Sequence, residues 1–115
     1  MYPGVDVILP DNPPFGCKSA DIKLSWDDSN ANLGFTLVGP AGEAIHTAIN
    51  ESKKGYLEEH ISQLGQCLPG ENYSISVFST KDLDRPVNFK IEYSWCQNIS
   101  KQESDSLTSA TQGAI

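Results

Sequence analysis

From Val87 to Trp95 every second residue is apolar: Val87, Phe89, Ile91, Tyr93 and Trp95 alternate with Asn88, Lys90, Glu92 and Ser94. Side chains of a strand point to opposite faces with a period of two, so this run has one face for a core and one for water. A helix would scatter the same residues around its circumference. The chain is thereby committed to a sheet buried on one side, and other segments must supply the strands that cover it.

Those segments follow the same grammar. Ile22, Leu24 and Trp26 share a face between Asp21 and Trp26, and Leu33, Phe35 and Leu37 share one opposite Gly34, Thr36 and Val38. Glu43 to Ile49 and Tyr73 to Ser79 alternate likewise, the second with Tyr73, Ile75 and Val77 on one side. Tyr56 to Leu64 is ambiguous, because Leu57, Ile61 and Leu64 stand at helical spacing. So short a run is marginal for a helix among strands, and it is read as a strand. Turn chemistry separates the elements: Gly39-Pro40-Ala41-Gly42, the polar Asp27 to Asn32, Leu68 to Asn72, and a hairpin loop over Thr80 to Arg85 closed by Pro86. Spacing of about ten residues between strands predicts an all-β antiparallel sandwich or barrel.

The ends differ from the middle. Residues 1–20 hold four of the seven prolines, and each ring removes a ladder donor, so only Val5 to Leu9 is expected to form a short edge strand. Residues 97–115 are rich in Ser, Gln and Thr and read as a polar flexible tail, which leaves 21–96 as the sandwich domain. At 115 residues the chain holds one core. Fifteen acidic against eight basic residues give a net charge of −7 with no Lys/Arg cluster, which argues against nucleic acid and anionic lipid. No apolar run is long enough to insert in a bilayer. The opening MYPGVDVILP lacks the basic and apolar regions of a signal peptide, and Met1 is read as the start of an excised domain fragment.

Cys17, Cys67 and Cys96 contain no C-x-x-C pair, so a zinc ribbon is not expected. At least one disulfide among the three is expected, its pairing open, alongside the alternative of buried free thiols. Sequons at Asn50, Asn72 and Asn98 point the same way, to an extracellular or cell-surface location.

Chemistry-bearing groups are few. Asp27, Asp28, Asn30 and Asn32 offer oxygen ligands at alternate positions, so they are candidate calcium ligands; the alternative is a solvated loop. An EF-hand is not matched, since Leu33 stands where its glycine belongs. Asp82 and Asp84 read as an Asx-type turn. His46 and His60 lie in different elements without metal-ligand spacing, and no G-x-S-x-G elbow holds a nucleophile. Trp26, Trp95, Tyr73, Tyr93 and Phe89 could stack on a sugar, but they share faces with Ile and Leu and are assigned to the core. The chain is therefore read as not an enzyme, with calcium the one cofactor considered.

Ile22-Lys23-Leu24-Ser25-Trp26, Ala31 to Leu37, Gly39-Pro40-Ala41-Gly42, Leu68 to Val77 and Phe89 to Trp95 together resemble the bacterial and archaeal pre-peptidase C-terminal domain family over about residues 20–96. The resemblance implies a jelly-roll-like β-sandwich of six to eight strands, serving as an accessory domain of secreted enzymes or surface proteins. Family members commonly carry Asp-Leu-Asp-Leu in the second strand, whereas this chain has Asn32-Leu33-Gly34-Phe35. The expected function is that of a non-catalytic module that packs against or stabilises a parent domain or another protein. The alternative is a carbohydrate- or protein-binding module that uses loops at one pole or an exposed edge strand.

Overall fold

The computed structural model describes residues 4–14, 16–28, 30–50, 55–64, 72–96 and 101–107. Eight strands follow in order: β1 Gly4–Ile8, β2 Ala20–Trp26, β3 Leu33–Val38, β4 Ala44–Ile49, β5 Tyr56–Ile61, β6 Ser74–Ser79, β7 Val87–Trp95 and β8 Lys101–Leu107. They form two antiparallel sheets, β1-β6-β3-β4 and β5-β2-β7-β8. The nested pairs β2·β7 and β3·β6 are those of a jelly roll. Its outer pairs are opened: β1 lies beside β8, and β4 beside β5, across the two sides of the sandwich without shared ladders. Among the described residues no helix is long and apolar enough to cross a membrane.

The alternating faces meet as the periodicity requires. Ile22 and Leu24 on β2, Phe89, Ile91, Tyr93 and Trp95 on β7, Phe35 and Leu37 on β3, and Ile75 and Val77 on β6 are all buried. Tyr73, Tyr93 and Trp95 pack as tilted and edge-on rings, with centroids 5.3 and 5.7 Å apart. Both distances lie in the range that rings of opposed edge and face charge prefer.

Two sequence expectations change, and the ambiguous run from Tyr56 is a strand, as it is read above. β6 and β7 do not pair as a hairpin but belong to different sheets, so the loop between them crosses the sandwich. Tyr56–Ile61 is a strand, and Leu64, which completed its helical spacing, lies beyond it; Leu64 N–H donates to the Lys18 carbonyl at 2.9 Å. Lys101–Leu107, within the segment read as a tail, is a full strand along β7. Its polarity hid it, because among its residues only Leu107 is buried. Charged Lys101, Glu103 and Asp105 on the inward-facing side of an edge strand discourage another chain from pairing there.

Residues 9–19 carry the chain from β1 to β2. Leu9 N–H donates to the Tyr73 carbonyl, Asp11 pairs with Lys101 at 2.8 Å, and Cys96 N–H donates to the Ser19 carbonyl. A disulfide joins Cys17 to Cys96 and ties this segment to the end of β7. Cys67 lies outside the described residues.

Candidate functional site

The two sheets turn different outer faces to solvent. Ladder register builds the outer face of β5-β2-β7-β8 from rows such as His60, Asp21 and Ser94, then Glu58, Lys23, Glu92 and Gln102. It is crowded with charge. His60 Nδ1 lies 2.7 Å from Asp21 Oδ1, Lys90 lies 3.0 Å from Glu92, and Lys23 sits over the Tyr56 ring. Hydrogen bonding and charge from Lys90 hold the Glu92 carboxyl below its ordinary value.

The outer face of β1-β6-β3-β4 holds almost none. Its rows are Gly4, Phe78, Gly34 and Ile49; then Asp6, Ser76, Thr36 and Thr47; then Ile8, Ser74 and Val38. Asp6 is the single formal charge among them. Thr36 and Thr47 hydroxyls meet at 3.0 Å, and Ile8 and Ile49 are 68% and 48% exposed, the large apolar side chains most open to water among the described residues. Phe78 lies across Gly34: a Cβ there would stand 2.8 Å from the ring and 2.7 Å from the Ala48 carbonyl oxygen. Glycine in a strand interior is costly by itself, and here it makes room for an aromatic ring on the solvent side. The result is a flat surface of hydroxyls and apolar groups.

Individual residues of this face are unremarkable in sequence. Phe78 was legible as the apolar residue on the wrong side of the Tyr73, Ile75 and Val77 alternation, and Gly34 as a mid-strand glycine. Only the register brings them together with Ile8 and Ile49 from strands far away in the chain.

The loop read as a calcium candidate is held by the protein's own donors. Asp27 accepts the Asn88 backbone N–H and side-chain amide, both at 3.0 Å, which fastens the end of β2 to the start of β7. Asp28 accepts the Asn30 N–H at 2.9 Å and Arg85 Nε at 3.2 Å. Its carboxyl is held below its ordinary value, first by the Asn30 bond and also by the nearby guanidinium of Arg85. The Asn30 side chain is exposed, and the Asn32 carbonyl accepts from the Thr80 N–H and hydroxyl. Asp82 and Asp84 line the same pole with Lys81 and Arg85. Among the described residues no three His, Cys, Asp or Glu side chains converge as metal ligands.

His46 and His60 are not brought together. His46 turns to the core side of β4, where Nε2 meets Glu59 Oε1 at 2.7 Å between the two sheets. Of the aromatic set, Tyr73, Tyr93, Trp95 and Phe89 are buried, and Trp26 is partly covered with its indole N–H on the Ala31 carbonyl. Asn50 is also buried, whereas Asn72 is exposed. No protein-family model matches the chain, and no curated protein matches it.

Proposed function

We propose that this chain is a non-catalytic accessory β-sandwich module of a secreted or cell-surface protein, which packs against a parent domain or another protein through the outer face of β1-β6-β3-β4. One observation carries the reading: that face combines exposed Ile8 and Ile49 with Phe78 and a row of hydroxyls, and holds a single carboxylate, on a chain of net charge −7. Protein interfaces are depleted in charge at their centres and enriched in aromatic side chains. The charged opposite face has the composition of a surface that stays in water. The Cys17–Cys96 disulfide supports an oxidising compartment, and an accessory role agrees with the resemblance to the pre-peptidase C-terminal domains. No cofactor is part of this reading, since calcium at Asp27 and Asp28 would have to displace Asn88 and Arg85.

The test places a charge at the centre of the face. Ser76→Lys, on a central strand, leaves the melting of the isolated domain within a few degrees but lowers the stability and secreted yield of the polypeptide that carries it. Equal stability and yield of that polypeptide with and without Ser76→Lys would refute the packing role.

A further inference from the structure

The ladder between β3 and β4 fixes which backbone groups of β4 have no partner strand. Asn50 N–H donates to the Leu33 carbonyl at 3.2 Å, so Leu33 and Asn50 form a bonded pair. Bonded and non-bonded pairs alternate in an antiparallel ladder. Phe35 and Ala48 are then bonded, while Thr36/Thr47 and Gly34/Ile49 are not. The hydroxyl contact between Thr36 and Thr47 fits the closer spacing of a non-bonded pair. The N–H and C=O groups of Thr47 and Ile49 therefore point to the open edge, and among the described residues β4 has no other neighbour in its sheet.

The other edges are guarded. β5 carries Glu58, Glu59 and His60, β8 carries Lys101, Glu103 and Asp105, and β1 carries Asp6 and lies beside β8. On β4 the one titratable group is His46, turned inward to Glu59. A register shift between Leu37 and Val38 limits the regular edge to His46–Ile49. Ile49, at that edge, is 48% exposed.

We infer that the β4 edge pairs with the β4 edge of a second copy of this chain, antiparallel about a twofold axis at Ala48. Edge-facing residues must stand opposite edge-facing residues. Centring on Ala48 is the register that uses Thr47 and Ile49 of both copies, each Thr47 facing the partner's Ile49 and exchanging two hydrogen bonds with it. Along the β4 ladder the pairing covers exposed Ile49 with a β-branched neighbour and sets no carboxylate against a carboxylate. That last condition selects this edge for self-association, since copies with a net charge of −7 repel each other elsewhere. The small Ala48 side chains meet at the close, non-bonded position on the axis. The association uses the strand edge and shares Ile49 with the packing role proposed above, which is tested apart from it at Ser76 in the centre of the face.

Sedimentation from about 10 µM to about 1 mM chain tests the pairing, the upper end being where weak contacts become populated. The average mass rises toward two copies. Thr47→Pro, which removes an N–H that bonds to no described residue of the same copy, and Ile49→Lys, which charges the edge, each weaken association by at least ~10-fold, with circular dichroism confirming the fold. In the unsubstituted chain the Thr47 and Ile49 amides exchange more slowly with deuterium as concentration rises, while the Asp6 amide does not. A single copy at the highest concentration would overturn the pairing. So would association that both variants leave unchanged, or exchange at Thr47 and Ile49 that ignores concentration.

Discussion

The sandwich opens on two sides, and the two are closed by different means. Where β1 lies beside β8, residues 9–19 cross from one sheet to the other, bonded to Tyr73, ion-paired through Asp11 to Lys101, and joined to β7 by a disulfide. Where β4 lies beside β5, the described residues supply one ion pair across the sheets, His46 with Glu59, both about one-third exposed. The first side is fixed by a covalent bond and burial. The second is held by a contact that water competes for, and its edge strand keeps unpaired backbone groups. Among the described residues, the tied crossing segment thus stands on the side away from the bare edge, and association at β4 disturbs none of its contacts.

The largest expected effect breaks the strong side. Cys17 and Cys96 are 79 residues apart in sequence, and closing so long a loop in the unfolded chain stabilises the fold by about 4 kcal/mol on chain-entropy grounds. Urea unfolding of the Cys17→Ser/Cys96→Ser double variant reads that difference directly. A loss below about 1 kcal/mol would mean that the non-covalent contacts of residues 9–19 suffice, and the asymmetry between the sides would largely disappear.

Tyr93 sharpens the same side through pH. Burial, with the charges of Asp11 and Glu103 adding to it, pushes its phenol up to about 12, while a backbone N–H from Asp11 pulls weakly the other way. An acid whose folded value is raised favours its protonated form in the fold. Its contribution is therefore complete below the unfolded value near 10 and is lost as pH rises from about 10 to about 12, on the order of 3 kcal/mol in all. Equilibrium unfolding between those limits shows the decline, and Tyr93→Phe flattens it. An unchanged slope in the variant would assign the alkaline sensitivity to other groups.

On the weak side, Gly34→Ala drives a methyl toward the Phe78 ring and the Ala48 carbonyl, so β4 must move away from β3. Overpacking of this kind costs about 2 kcal/mol. Thermal unfolding measures it, and loss of the Phe78 near-ultraviolet dichroism locates it. If Gly34→Ala is neutral, Phe78 swings aside freely, and the flat outer face is not a fixed surface.

How much of this the sequence could disclose follows from where each pattern is written. β2, β3, β6 and β7 carry their cores in their own alternation, so they were legible alone. β5 was ambiguous because Glu59 occupies an inward position between Leu57 and Ile61 and breaks the apolar period. Its reason lies on another strand, in His46. β8 was illegible because only Leu107 among its residues reaches the core, and it is a strand because β7 offers it a ladder. The pairing of Cys17 with Cys96 is open in the sequence for the same reason, since nothing local distinguishes it from a pairing with Cys67. The outer face was hidden more deeply still. Ile8, Gly34, Ile49 and Phe78 come from four strands, and no window on the sequence holds them together.

The smallest expected effect probes the closure at β4 and β5. Glu59→Gln keeps the size of the side chain and a hydrogen-bond acceptor but removes the charge facing His46. Both partners are about one-third exposed, so solvent screens the pair, and the loss in unfolding free energy stays below about 1 kcal/mol. A double-variant cycle with His46→Gln isolates the coupling from effects on each residue alone. The size of that coupling decides how the sides compare. A value of a few tenths of a kcal/mol leaves the β4 side closed mainly by the apolar contacts beneath the pair, from Ala48 and Ile61. A coupling as large as the disulfide's contribution would make His46 and Glu59 a true counterpart of the staple, and the two sides equal in strength though different in chemistry.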